Sequence, residues 1–279
     1  MRAALHIDPP LAAIPAALAA AGVSAFQTTL RDPQRFGRTG VPGPEDCAAY
    51  KAAVAAGRPL WGIVHGSLLV NLASPDGRIR NASASSVVGD LGLAADLGLA
   101  GVCFHPGYAK GYATRAAALA QAARKLVQVL AQAPDDVTAV IENTCEGSEL
   151  AADVAELAAL VRDVGAPAAR LGVLIDTCHL HAAGFDLSGE DAGDRLAGAL
   201  ADAGLLDRLV AFHLNDCQGP AGCRRDRHEV PGDGSINAGL VSIGRHPAFR
   251  GLPAILELAA DGARRGIVYL ARHGVLVGD

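Results

Sequence analysis

Short β-forming runs alternate with longer Ala- and Leu-rich stretches of helical period along this chain, and that alternation leaves few folds open to it. The runs cover residues 3–7, 24–30, 60–65, 101–105, 138–142, 171–176, 208–213 and 253–257; helical periods fill 11–21, 44–56, 83–97, 114–131, 149–164, 191–203 and 262–273. Runs such as Ala139-Val140-Ile141 and Val173-Leu174-Ile175 are apolar on consecutive residues, as strands buried on both faces are. Eight such strands with helices between them, in 279 residues, predict an α/β chain folded as one (β/α)8 TIM barrel over residues 1–279. A doubly wound open sheet is the alternative, because alternation alone does not separate the two. No G-x-G-x-x-G follows a run, which weakens the nucleotide-binding form of that sheet. The longest irregular stretch, 215–238, is rich in Gly, Arg, Asp and Pro and reads as a functional loop.

Composition narrows the partners. With 51% hydrophobic and 19% charged residues the chain can bury a core, and a net charge of −5 argues against a general basic surface for nucleic acid. The six cysteines are scattered without a C-x-x-C pair, which suggests buried reduced thiols. His6, Asp8, Pro9, Pro10, Pro15 and Gly22 interrupt the N-terminal apolar stretch, so neither a signal peptide nor a membrane span is expected. The expectation is a soluble, cytoplasmic monomer without a membrane partner.

The ends of the strands carry the functional signal. The third run ends at His65, the fourth at His105, the fifth at Glu142, the sixth at Asp176 with His179 beyond it, the seventh at His213 and the eighth at Glu257. The long loop adds Asp226 and His228. A histidine or an aspartate in one such place is usually a hydrogen-bonded structural group or a cap. Six consecutive strands delivering one at the same end is a different matter, since barrel active sites form where strands run out at the C-terminal face. Five imidazoles and four carboxylates crowded there would require large pKa shifts unless cations intervene. Nitrogen and carboxylate oxygen donors suit Zn²⁺, with Mn²⁺ or Fe²⁺ as alternatives in part of the cluster, and nine donors exceed the needs of one ion.

The segments V-H-G-S-L-L-V-N-L (64–72), F-H-P-G (104–107), A-V-I-E-N-T (139–144), I-D-T-C-H (175–179), H-L-N-D (213–216) and D-R-H-E (226–229), in that order, resemble the blocks of the endonuclease IV family. The resemblance implies a trinuclear-zinc apurinic/apyrimidinic endonuclease acting on double-stranded DNA. It further implies that His65, His105 and Glu142 hold one Zn²⁺, that Glu142 bridges to a second completed by Asp176, His213 and Glu257, and that His179, Asp226 and His228 hold a third. Glu257, with Glu142, is then the catalytic carboxylate, and cleavage falls 5′ to the abasic site with 3′-end cleaning as a side activity. Three dications would turn the net −5 into about +1, so DNA is no longer excluded.

Departures from the family pattern fall on the DNA-holding loops. Leu68-Leu69 stands where the family carries an aromatic wedge, and Cys217-Gln218 where a small residue and Lys are usual. Apolar wedges other than aromatics also unstack bases. With 21 Arg against 3 Lys, phosphate contacts are expected from arginines, Arg31, Arg35, Arg225 and Arg227 foremost, with Arg38, Arg224 and Lys110 as further candidates. Asn71, Asn143 and Asn215 are candidates to orient the ligands, and His6 to line the floor of the site. Two other readings stand beside the nuclease: a sugar isomerase or epimerase of related barrel architecture, which needs no third metal group, and a metal-loaded protein that binds damaged DNA with weak catalysis.

Overall fold

A computed structural model describes residues 1–8, 10–37, 40–57 and 59–276. Eight parallel strands close into a barrel in the order β1 (Arg2–His6), β10 (Pro253–Leu256), β7 (Leu209–His213), β6 (Leu171–Asp176), β5 (Thr138–Glu142), β4 (Gly101–Phe104), β3 (Trp61–His65) and β2 (Ala25–Thr29). Closure decides against the open sheet. The remaining strands, β8 (Asp216–Cys217) and β9 (His228–Glu229), form a small antiparallel ribbon in the long loop after β7.

Helices α1 (Ile14–Ala21), α2 (Pro44–Ala56), α3 (Gly77–Asp96), α4 (Arg115–Leu130), α5 (Val154–Val164), α7 (Ala192–Asp202), α8 (Ala238–Arg245) and α9 (Ala260–Arg272) surround the barrel, and α6 (Thr177–Ala183) follows β6 directly. Caps place their ends. The Asp76 carboxylate accepts from the Arg78 amide, so α3 begins at Gly77, before the residue 83 that periodicity suggests. Asp153 likewise accepts from the Glu156 amide and starts α5 at Val154, after the expected 149. Glu149 instead turns back, its carboxylate accepting from the Cys145 and Glu146 amides. Helices α6 and α8 were not expected from the sequence. None of the described helices is long and apolar enough to cross a membrane.

The barrel interior is one plug with a side chain from every strand: Ala4, Ala25, Ile63, Cys103, Val140, Leu174, Ala211 and Ile255, all buried and packed on one another. Side chains alternate faces along a strand, so the residue two further on also points inward, one layer nearer the C-terminal end. Those residues are His6, Gln27, His65, His105, Glu142, Asp176, His213 and Glu257. Every strand therefore delivers a polar group to one level above an apolar plug.

Candidate metal centre

Nine nitrogen- and oxygen-bearing side chains crowd together above the plug, beside a cavity of about 230 Å³ whose lining includes His6 and Leu68. Their donor atoms fall into three groups: His65, His105 and Glu142; Glu142, Asp176, His213 and Glu257; and His179, Asp226 and His228. In the first, the Nε2 atoms of His65 and His105 lie 3.3 and 3.4 Å from Glu142 Oε2. In the second, His213 Nδ1 is 2.8 Å from Glu142 Oε1, 3.2 Å from Glu257 Oε2 and 3.8 Å from Asp176 Oδ2. In the third, Asp226 Oδ2 is 3.3 Å from His179 Nε2, and its Oδ1 is 3.2 Å from His228 Nε2. Glu142 thus faces one group with each oxygen, and Asp176 Oδ2, 3.4 Å from His228 Nε2, leans toward the third.

These spacings test whether the residues fit cations. Four donors at about 2.0–2.1 Å around one tetrahedral ion stand about 3.3–3.4 Å apart. Most of the contacts above fall close to that value. The Nε2 atoms of His179 and His228 are buried and make no hydrogen bond, although carboxylate oxygens stand within 3.4 Å. Two orphaned buried nitrogens this close to carboxylates are aimed past them at shared points, which suits ligation better than hydrogen bonding. Two thiols also lie near. Burial pushes the Cys103 thiol well up, and it donates to Glu142 Oε2 at 3.5 Å; a bond to Cys217 and burial push Cys178 far up as well. Each thiol also stands within ligand distance of two members of the cluster, Cys103 with Glu142 and His213, and Cys178 with Asp176 and His228.

Neighbouring backbone and amides fix which nitrogen each ring presents. His65 Nδ1 donates to the Gly66 carbonyl and His179 Nδ1 to that of Asn143, both at 2.9 Å, which leaves Nε2 bare on each neutral ring. His213 is turned the other way, with Nε2 on Gln27 Oε1 at 2.7 Å and Nδ1 toward the centre. Asp176 divides its carboxylate: Oδ1 caps α6 through the His179 amide, while Oδ2 accepts from Asn215 Nδ2 and faces the site. Asn143 brackets the Asp176 backbone, and Asn215 Oδ1 accepts from the Glu257 amide, so both asparagines hold members of the cluster in place. Asn71 does not; its Oδ1 accepts from the Tyr108 amide, beside Gly107, where φ is +122° and an added Cβ would stand 2.3 Å from that oxygen.

In the metal-free protein, charge pairing outweighs desolvation. Burial alone would raise Glu142, but His213 and His105 hold it well below the usual carboxylate range; His179 and His228 do the same to Asp226, and His213 chiefly lowers Glu257. Burial alone would lower the histidines, yet Glu142 raises His65, the Asp176, Glu142 and Asp226 carboxylates raise His179 strongly, and Glu142 with Glu257 lifts His213 to about 9. Cations entering this cluster therefore replace protons.

The ribbon brings in Asp226 and His228. Asp216 is its anchor, a fully buried carboxylate that accepts from the backbone amides of Cys217, Gly232, Gly234, Ile236 and Asn237. His181, behind His179, accepts from the Leu187 amide and contacts Ser235 Oγ, away from the centre.

The expected DNA contacts divide. Leu68, which lines the cavity, and Leu69 are exposed by 46% and 42%, and Arg35, Lys110, Arg224, Arg225 and Arg227 are exposed. Arg31 is not presented to a ligand; its guanidinium lies on Asp90, with side-chain exposures of 10% and 1%, and donates to the Gly37 carbonyl. The sequence could not show this, because Asp90 is 59 residues away on a later helix. Arg38 lies outside the described residues. Gln27 was overlooked: it is fully buried and bonded to both His213 and Glu257, and its only signal was its place two residues past Ala25.

Residues 15–273 match the family model described as a xylose isomerase-like TIM barrel. A probable endonuclease 4 of Methanoculleus marisnigri is 34% identical over 265 residues, 92% of each chain. One from Chlorobium phaeobacteroides is 37% identical over 203 residues, 72% of this chain and 70% of that protein. Among solved structures, endonuclease IV from Thermus thermophilus superposes with a TM-score of 0.83 at 28% identity, over 98% of both chains. A D-tagatose 3-epimerase-like protein superposes at 0.75 with 17% identity over 98% of this chain and 97% of that one, a likeness of fold alone.

Proposed function

We propose, from the premise that this chain belongs to the endonuclease IV family, that it hydrolyses the phosphodiester bond 5′ to abasic sites in double-stranded DNA. The products would be a 3′-hydroxyl and a 5′-deoxyribose phosphate, and the same site would clear blocked 3′ ends. We take residues 1–279 as one endonuclease domain that works as a cytoplasmic monomer. The observation that carries this reading is the set of nine donors in three groups at ligand spacing, including a His179/Asp226/His228 group that a sugar epimerase would not need.

His65, His105 and Glu142 would hold one divalent cation, Glu142, Asp176, His213 and Glu257 a second, and His179, Asp226 and His228 a third, with Zn²⁺ the best match to the donors and Mn²⁺ or Fe²⁺ alternatives in part of the cluster. Cations there would offset the charge of the phosphate oxygens and lower the pKa of a water toward neutrality. The chain's own contribution is position and proton transfer. Glu257 has Oε1 engaged by Gln27 and Oε2 turned into the second group, 3.2 Å from His213 Nδ1, where it would orient the attacking water beside the cation and take its proton. Glu142 ties two groups at a fixed separation and turns no polar atom to solvent. Leu68 and Leu69, both exposed, would serve as the wedge that unstacks a base step, which costs least at a site that has already lost its base. Arg35, Arg225 and Arg227 offer exposed guanidinium forks to phosphates.

The test is nicking of an abasic duplex by protein stripped with a chelator and restored with Zn²⁺. Zinc-restored wild type should nick, and Glu257→Gln should lose activity while keeping most of its metal. A zinc-loaded wild type that leaves the duplex intact, or that instead epimerises ketoses, would overturn the reading.

A further inference from the structure

Gln27 is the one member of the ring of eight strand-end residues that is neither acid nor imidazole. Its side chain is fully buried and all its bonds go to other members of that ring. Nε2 lies 2.7 Å from Glu257 Oε1 and 3.1 Å from His6 Nδ1, and Oε1 lies 2.7 Å from His213 Nε2.

The orientation of this amide follows from its partners. A carboxylate only accepts, so the NH₂ group must face Glu257, and the carbonyl oxygen must then face His213. An amide oxygen only accepts, so His213 Nε2 must carry a proton. On a neutral ring that leaves the lone pair on Nδ1, toward Glu142, Asp176 and Glu257. The second amide hydrogen goes to His6, whose Nε2 faces Asp8 Oδ1 at 3.5 Å. One neutral side chain thereby fixes the tautomer of one proposed ligand and the rotamer of another, without adding charge to a crowded cluster.

We infer that Gln27 is a positioning residue for the central metal group: it makes His213 present Nδ1 and holds the Glu257 carboxylate with Oε2 turned into that group, beside the water it would activate. This rests on the metal-site reading above. Loss of a partner that orients a ligand typically weakens metal affinity or activity by about 10–100-fold.

Two variants separate its bonds to His213 and Glu257. Gln27→Met keeps the volume and loses all three bonds. Gln27→Glu still accepts from His213 but, when ionised, cannot donate to Glu257. Each is loaded with Zn²⁺ and challenged with a competing chelator, and retained metal is counted by mass spectrometry. In parallel, kcat and KM are measured on the abasic duplex, and the Co²⁺-substituted protein is compared by visible absorption. Gln27→Met should retain metal about 10–100-fold less well, shift the Co²⁺ spectrum and lower kcat, with KM for DNA little changed. Gln27→Glu should retain metal within a few-fold of wild type yet lose kcat. Wild-type retention, spectrum and kcat in Gln27→Met, or in Gln27→Glu should the methionine variant not fold, would overturn the inference. Wild type that neither holds metal nor nicks would instead refute the underlying site assignment.

Discussion

Replacing Arg31 with methionine should destabilise the protein by about 3–5 kcal/mol at pH 7.5, the usual cost of deleting one partner of a buried ion pair. Nε and Nη2 of Arg31 both lie 2.6 Å from Asp90 Oδ1, and Nη1 donates to the Gly37 carbonyl at 2.5 Å. Methionine keeps most of the apolar stem and removes every donor, so the Asp90 carboxylate is left on α3, 1% exposed, without a cation. Burial raises Asp90 from 3.8 to about 6 even though Arg31 pulls it down, a rise that disfavours the ionised form by about 3 kcal/mol. Removing Arg31 adds to that penalty.

The pH dependence follows with its sign. A carboxyl raised by folding contributes stability that is fully present below 3.8 and is lost as pH climbs through about 6. In Arg31→Met the folded pKa lies higher still. The gap between variant and wild type should therefore be smallest near pH 4 and widen toward pH 7.5. Urea denaturation at both pH values measures it, with abasic-duplex affinity determined alongside. Arg31 also tethers the loop whose Pro33 carbonyl accepts from Ser67 Oγ and the Leu68 amide, so DNA binding should weaken as a secondary effect. Stability unchanged within about 0.5 kcal/mol, with reduced DNA affinity, would refute the reasoning and restore Arg31 as a surface phosphate contact.

Four further outcomes are expected. His179→Ala should lower the metal content by one ion per chain, read by mass spectrometry; an unchanged content would break the grouping. Because His213 sits at about 9 in the metal-free protein, its ring is protonated at neutral pH, so metal loading should release protons and metal affinity should fall as pH falls; calorimetry in buffers of different ionisation enthalpy measures this. Asp216→Asn removes a charged acceptor from five backbone amides and should cost about 1.5–3 kcal/mol in denaturant unfolding, with weaker metal retention by the Asp226 and His228 group. Leu68→Ala deletes a side chain that is 46% exposed, so covering it on DNA is worth about 1 kcal/mol, and abasic-duplex affinity should fall about fivefold while unfolding stays unchanged.

What could be read in the sequence was what repeats locally. Period-two alternation past Ile63, Cys103, Val140, Leu174, Ala211 and Ile255 leads directly to His65, His105, Glu142, Asp176, His213 and Glu257, and the donor chemistry of those residues suggested cations before any coordinates. The same rule leads from Ala25 to Gln27, but an amide attracts no attention as a ligand, and its importance lies in partners 186 and 230 residues away. Arg31 misled for a similar reason, since a cation on a loop looks solvent-facing until its distant acid is located. Helix α6 was hidden because Asp176 ends a strand and caps a helix at once, and α8 because two glycines, Gly239 and Gly244, dilute its period. The β8–β9 ribbon pairs only two residues a side, and its stability resides in the amides gathered by Asp216, which no local pattern encodes.

The stacked arrangement of plug and polar ring has a consequence for how such a barrel tolerates change over time. Both layers are read from one register, so inserting or deleting a single residue inside a strand would turn the plug residue and its polar partner to the outer wall together. A misaligned strand would thus be eliminated as a folding failure before it could survive as a damaged enzyme. Length variation should accumulate in the loops, while a single rim residue can be exchanged, at the expense of the chemistry, over an interior that need not alter.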